Sequence, residues 1–378
     1  MVPEKPFQIV SENHNARRGT LFTSHGVVQT PAFMPVGTQA TVKGVTPHEL
    51  RELKAEILLV NAYHLAIRPG ARTIGELGGV HRFMGWNGPI LSDSGGFQVF
   101  SLASLREVSE DGVRFRSHLD GAEFHLTPEG AVSVQEELGV DVMMMLDVCP
   151  AHTESYTAVE AAVERTARWA KRSKLARQNR AQLLFGIIQG GTSRDLRRRS
   201  VEETAALEFD GYGIGGLAVG EPSELMHQTV AETCDELPRD QVRYLMGVGT
   251  PQDIVRAVAA GVDLFDCVIP TRSARFGRLY VGDSYINIRN RLIRTDPRPI
   301  CEECDCYTCR NFSRAYLSHL IHSGEVLAVV LATIHNLRFY QRLMENIRQA
   351  IQLGTFPEFE SRILEASSQL DFRPGAQA

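Results

Sequence analysis

Eight short apolar runs, each near-continuous rather than alternating, recur through the first two-thirds of the chain and limit what it can fold into. They are PAFMPV (31–36), EILLVNAYH (56–64), PILSDSGG (89–96), DVMMMLDVC (141–149), LLFGIIQGG (183–191), GYGIGGLAVG (211–220), RYLMGVG (243–249) and VDLFDCVIP (262–270). Successive apolar positions mark strands covered on both faces, as in a parallel sheet, whereas half-solvated strands alternate. Helix starts lie between many of them: Thr46-Pro47-His48-Glu49, Thr127-Pro128-Glu129, Glu221-Pro222-Ser223-Glu224 and Thr250-Pro251-Gln252-Asp253 each put a capping hydroxyl or acid beside a first-turn proline. Eight alternating units predict an α/β fold, a closed (β/α)8 TIM barrel rather than an open doubly wound sheet. Residues 106–126, rich in Val, Phe and charge, read as an inserted hairpin.

Barrels of this kind collect their chemistry at the C-terminal ends of the strands. Those ends carry Asn61, Tyr63 and His64; Asp93 and Ser94; Asp147 and Cys149; Gln189 with two glycines; Gly215 and Gly216; Gly247 and Gly249; and Asp266. Gly211, Gly213 and Gly216 satisfy G-x-G-x-x-G, but a helix-like stretch precedes them and the apolar LAVG follows, the wrong context for a dinucleotide site.

With 43% hydrophobic residues in 378, the chain can bury one large core with an appendage. It has no uninterrupted apolar run of about 18 residues and no signal-like N-terminus, so a cytoplasmic protein with no membrane span is expected. Of its seven cysteines, Cys149, Cys234 and Cys267 are scattered while Cys301, Cys304, Cys306 and Cys309 crowd together, a metal pattern rather than a disulfide one. Cys304, Cys306 and Cys309 form C-x-C-x-x-C, and His335 follows after 25 residues. Three thiolates and an imidazole close a tetrahedral structural zinc shell, with Cys301 an alternative member.

The formal charge of −5 argues against nucleic acid only on average. Between Val268 and Ile300 there are seven arginines, no lysine and two acids. Arginine without lysine suits bidentate phosphate recognition. A second basic stretch, Arg165 to Arg180, reads as a solvated helix face.

Asp93 and Asp266 end the third and eighth candidate strands, which in a barrel of this size point into one mouth. Paired carboxylates there can divide glycosyl chemistry, one attacking an anomeric carbon and the other moving a proton at the leaving group. A glycoside hydrolase would use the same pair but predicts sugar-stacking tryptophans, and only Trp86 and Trp169 exist.

SDSGGFQVFSL, GGLAVGEP, LMGVGTPQDI, FDCVIPTRSARFG and CDCYTC, in this order, resemble the bacterial tRNA-guanine transglycosylase family along essentially the whole chain. The resemblance implies exchange of the wobble guanine of tRNAs with GUN anticodons (those for Asp, Asn, His and Tyr) for 7-aminomethyl-7-deazaguanine (preQ1), towards queuosine. It also implies a homodimer, a barrel over residues 1–290, a zinc-binding part over 291–350 and a C-terminal helix and tail over 351–378. By the same resemblance Asp266 is the nucleophile at the ribose C1′ and Asp93 the general acid/base. Asp147, Gln189, Gly216, Leu217 and Ala218 read the base, with Ser94, Gly95 and Gly96 beside it, Phe97 and Met246 sandwiching it, and Cys149 and Val219 shaping the pocket for the aminomethyl group. Gly247, Val248, Gly249, Thr250, Pro251, Gln252, Asp253, Thr271, Arg272, Ser273, Ala274 and Arg275 contact RNA. Cys304, Cys306, Cys309 and His335 hold one zinc ion.

Overall fold

A computed structural model describes residues 2–96, 106–117, 119, 121–282 and 284–368. The chain opens with an antiparallel sheet, β1 (Phe7–Asn13), β2 (Ala16–Thr23) and β3 (Gly26–Thr30). Each of the eight apolar runs then supplies one parallel strand: β4 (Ala32–Met34), β5 (Leu58–Asn61), β6 (Ile90–Asp93), β10 (Val142–Met144), β11 (Leu183–Ile188), β12 (Gly211–Ile214), β13 (Val242–Leu245) and β14 (Leu264–Asp266). Their order is β4-β14-β13-β12-β11-β10-β6-β5. The ring closes just beyond β4, where Val36 bridges Leu59, Gly37 N–H donates to Leu59 O at 2.7 Å and Leu59 N–H to Pro35 O at 3.1 Å.

Strand residues are buried almost throughout because one face fills the barrel and the other packs under helices. The dismissed glycine motif is part of this packing. A Cβ at Gly211 would lie 2.5 Å from Val242 Cγ1 and 2.7 Å from Phe185 Cε1, so only glycine lets these three strands close.

Thr46, Thr127 and Thr250 cap their helices as the sequence predicts, Thr46 in a full capping box with Glu49. Glu221 does not. Its carboxylate accepts from the amides of Ala218 and Val219, and the helix Ser223–Glu236 starts at Pro222 with no side-chain cap.

The N-terminal sheet, absent from the sequence reading, lies across the opposite end of the barrel from the strand C-termini. Arg17 on β2 pairs with Asp263, just before β14, through Nε at 3.0 Å and Nη2 at 2.5 Å, and His25 Nδ1 meets Asp141, just before β10, at 2.9 Å. The insert is larger than the expected hairpin: β7 (Arg106–Val108), β8 (Val113–Arg116) and β9 (Glu123–Leu126) form a three-stranded antiparallel sheet. Val113 and Phe115 seat it in a separate apolar cluster with Tyr63 and Trp169. The basic helix face braces it: Arg165 and Arg168 pair with Glu110, and Arg172 donates to the Glu110 and Asp111 carbonyls at 2.6 and 3.0 Å.

Beyond the barrel come the hairpin β15 (Arg278–Val281) and β16 (Ser284–Asn287), the cysteine-bearing segment and the 28-residue helix Val326–Leu353. That helix buries His335, Asn336, Tyr340 and Gln341, and Gln341 reaches the Phe33 carbonyl of β4 at 3.2 Å. One element thus ties the cysteine cluster to the barrel wall.

Candidate active site and metal centre

The C-terminal ends of the strands enclose a cavity of about 420 Å³. It is lined by Asp93, Ser94, Gly95, Gly96, Asp147, Cys149, Gln189, Gly216, Leu217, Ala218, Val219, Met246, Gly247 and Asp266, residues scattered over 174 positions of sequence. Phe97 lies outside the described residues.

Asp93 ends β6 in register with Asn61 at the end of β5, and Asn61 Nδ2 donates to Asp93 Oδ2 at 2.5 Å. Asp93 Oδ1 is buried with no hydrogen-bond partner among the described residues. Burial, reinforced by the nearby charge of Asp266, pushes the Asp93 carboxyl up to about 8. At neutral pH it is therefore an acid with a proton to give.

Asp266 ends β14 under different constraints. Tyr244 Oη donates to its Oδ1 at 2.6 Å and the Gly247 N–H donates to the same atom at 2.7 Å. Burial raises this carboxyl too, but both hydrogen bonds oppose the rise. The pair thus has one carboxyl kept protonated and one supplied with donors for its anion, the division of labour that acid and nucleophile need.

On the far wall, Asp147 Oδ2 accepts from Gln189 Nε2 at 2.6 Å, and burial pushes the Asp147 carboxyl up to about 6. Gln189 Oε1 is buried without a partner among the described residues. Gly216 has φ of 67°, and a Cβ there would sit 2.4 Å from that Gln189 oxygen. With the Ala218 and Val219 amides engaged by Glu221, the Gly216 N–H remains toward the Cys149 sulfur and the cavity.

The loops expected to meet RNA divide. Gly247 and Arg272 are exposed, and Thr250, Gln252, Ser273 and Arg275 are half-buried. Val248, Gly249, Pro251, Thr271 and Ala274 are buried: Gly249 packs on Cys267 and its carbonyl accepts from Tyr340 Oη at 2.6 Å. Asp253 accepts from Thr250 Oγ1 at 2.5 Å and meets His227 Nε2 at 2.8 Å. These residues hold the loop's shape, leaving the exposed ones to present charge.

Cys304, Cys306, Cys309 and His335 bring their four ligating atoms within 4.8 Å of one another, all buried. His335 Nδ1 lies 3.8, 3.8 and 3.3 Å from the three sulfurs. A tetrahedral ion with metal–sulfur bonds of about 2.3 Å and metal–nitrogen bonds of about 2.1 Å separates sulfur from nitrogen by roughly 3.6 Å. The donor set therefore fits a metal ion. His335 Nε2 is 2.7 Å from the Tyr280 carbonyl, which fixes the ring with Nδ1 toward the sulfurs. Cys301 is half-buried and outside the group.

A model of the family described as queuine tRNA-ribosyltransferase matches residues 12–369. The chain belongs to the queuine tRNA-ribosyltransferase family. It is 54% identical to the queuine tRNA-ribosyltransferase of Symbiobacterium thermophilum over 351 residues, 93% of this chain and 88% of that protein. It is 52% identical to that of Nitrosomonas eutropha over 356 residues, 94% of this chain and 99% of that protein. As a member of the queuine tRNA-ribosyltransferase family it is a glycosyltransferase. Among the described residues, no helix is long and apolar enough to cross a membrane.

Three residues of this family member escaped sequence reasoning. Asn61 was recognised only as a strand-end polar group, although its register partner is Asp93. Tyr244 on β13 lies two residues before Met246, the residue just past that strand's end, and both line the cavity, yet in sequence Tyr244 passes for core. Arg197 sits among surface arginines in RDLRRRS and is itself 3% exposed.

Proposed function

We propose that the chain is a tRNA-guanine transglycosylase, replacing the guanine of the wobble nucleotide with 7-aminomethyl-7-deazaguanine through a covalent intermediate. The family supports tRNA transglycosylation in queuosine synthesis. The observation that carries the finer reading is the unequal carboxyl pair on one cavity, Asp93 buried with its carboxyl pushed up to about 8 and Asp266 held by two donors.

In the first displacement an Asp266 oxygen attacks C1′ of the ribose and the C1′–N9 bond breaks, while Asp93 gives its proton to the departing guanine. The ribose is then esterified to Asp266. In the second, Asp93 takes the N9 proton of the incoming base, N9 attacks C1′, and the ester bond breaks to release the Asp266 carboxylate. Two inversions retain the configuration.

Asp147 accepts from the N1–H and exocyclic amine of the base, while Gln189 and the Gly216 N–H serve its carbonyl side. Met246 and Phe97 stack on the ring, and Cys149 and Val219 border the aminomethyl group. Arg272 and Arg275, with Gly247 and Gln252, meet phosphates of a tRNA bearing a GUN anticodon, in the cytoplasm. Cys304, Cys306, Cys309 and His335 would hold one zinc ion, and with all four ligands supplied by protein it would fix the local fold rather than act on substrate. The exposed Tyr307 and Tyr316, flanking the half-buried Phe312 that stacks on Tyr316 at 5.3 Å, support self-association into a homodimer.

Incubation with radiolabelled guanine and unmodified tRNA tests this reading. Label entering the tRNA is the expected result; a gel shift without incorporation, or release of free base and an abasic tRNA, would sink it.

A further inference from the structure

Arg197 is a buried cation on which the charge of Glu221 acts only from beyond ion-pair distance. It is 3% exposed, and among the described residues it makes no ion pair. Its guanidinium is spent on three backbone carbonyls instead: Nε to Gly191 at 2.8 Å, Nη1 to Ile188 at 3.2 Å and Nη2 to Gly215 at 2.7 Å. Burial lowers its pKa to about 10, so it remains charged at neutral pH. A buried arginine used only to tie loops is expensive, since charge in a low dielectric needs partners that repay its desolvation.

The three carbonyls surround the base-facing wall of the cavity. Ile188 ends β11 immediately before Gln189, and Gly215 follows the end of β12 immediately before Gly216. In a trans peptide the C=O and the following N–H point in opposite directions. Thr30-Pro31 and Arg68-Pro69 are the cis bonds among the described residues, so the Gly215–Gly216 peptide is trans. Holding the Gly215 carbonyl on the guanidinium therefore turns the Gly216 N–H the other way, toward the Cys149 sulfur and the cavity. A cation on the carbonyl also polarises the peptide, strengthening the N–H as a donor.

We infer that Arg197 is a positioning residue for base exchange: from behind the cavity wall it aims and polarises the Gly216 amide toward the carbonyl oxygen of the bound purine, where negative charge grows as the base departs. The inference rests on the transglycosylase reading. Its chemistry is that of a backbone oxyanion donor whose strength is set by a charge on the far side of its own peptide. Because the effect grows with charge on the leaving base, it bears on turnover more than on ground-state binding.

The test is steady-state guanine exchange into unmodified tRNA by wild type, Arg197→Gln and Arg197→Lys, with thermal melting of each. Arg197→Gln should lose roughly 10²-fold or more in kcat, within the range seen when one oxyanion donor is removed, while KM for guanine changes by less than about 5-fold. Arg197→Lys, which keeps the charge but not the fork, should recover part of the loss. Equal kcat in wild type and Arg197→Gln overturns the inference, as does a loss confined to KM or an equal loss in both variants that tracks a fall in melting temperature. If Arg197→Gln does not fold, the lysine variant decides: a kcat within about 10-fold of wild type with an unshifted melting temperature supports retention of charge, and a larger loss in a stable protein opposes it. Wild type that incorporates no guanine would overturn the transglycosylase reading itself, which distinguishes the two failures.

Discussion

Tyr244 Oη and the carboxylate of Asp266 lie 2.6 Å apart, the tyrosine donating to Oδ1, which also accepts the Gly247 N–H at 2.7 Å. Asp266 Oδ2 makes none of the described hydrogen bonds. One oxygen is thus anchored and the other left to react. Removing a donor to the charged form raises a carboxyl pKa. Tyr244→Phe should therefore move the acid limb of kcat/KM to higher pH and lower turnover by roughly 10-fold, the equivalent of one hydrogen bond to a charged group. A pH–rate profile with an unmoved acid limb would count against the assignment.

Asp93 gives a stability prediction with a definite sign. Its carboxyl is raised to about 8 in the fold from an ordinary value of 3.8, so between those pH values the folded chain holds a proton that the unfolded chain has lost. Its contribution to stability is complete below about pH 4 and declines as pH rises to about 8. Asp93→Asn should abolish exchange while melting higher than wild type at pH 9, by a few kcal/mol at most, with the gap closing toward pH 5. Melting curves at the two pH values check it; a gap that is constant, or that widens toward acid, contradicts it.

In the proposed mechanism the same group sets the alkaline limb of activity: with Asp93 as the proton donor to the departing base, the rate should fall above about pH 8. Bulk exchange rates that rise steadily to pH 10 would be inconsistent with this role.

If the Cys3His group holds zinc as proposed, Cys309→Ser should lower bound metal from one ion per chain toward none and reduce the melting temperature, because the four residues gather the cysteine segment and the long helix. Metal analysis by mass spectrometry and melting with and without a chelator provide the check. Wild type containing no zinc, with a variant of unchanged stability, would reject the metal centre.

Gly216→Ala is expected to fold and to bind the base poorly. The new methyl would sit 2.4 Å from Gln189 Oε1 at a positive φ of 67°, displacing a base-reading amide. A tenfold or larger rise in KM for guanine is predicted, on the order of the 1–3 kcal/mol that a misplaced buried hydrogen bond costs. An unchanged KM would remove Gly216 and Gln189 from the base-reading wall.

The barrel was legible because its strands are buried on both faces and the acids that line the cavity interrupt apolar runs, Asp93 and Asp266 at strand ends and Asp147 three residues past one. The N-terminal sheet was not, since β1 is half-buried with alternating exposure and gives only a weak apolar signal. Tyr244 reads as an ordinary strand aromatic until its hydroxyl partner, 22 residues onward, is brought beside it. Arg197 is hidden by company: Arg198 and Arg199 pair with Glu202 and Glu203 on the surface of the same helix, and no local pattern marks the one that turns inward. Glu221 looked like a helix cap because its neighbours are cap-like, but the loop amides at 218 and 219 compete for it more effectively than the helix start.

The most direct measurement of the central claim, that Asp93 and Asp266 serve one ribose, is denaturing electrophoresis of the protein mixed with unmodified tRNA. Wild type should yield a protein–RNA species that survives denaturation and chases into product when free guanine is added, and Asp266→Ala should yield none. Persistence of that species in Asp266→Ala, or exchange by that variant at the wild-type rate, would contradict the account.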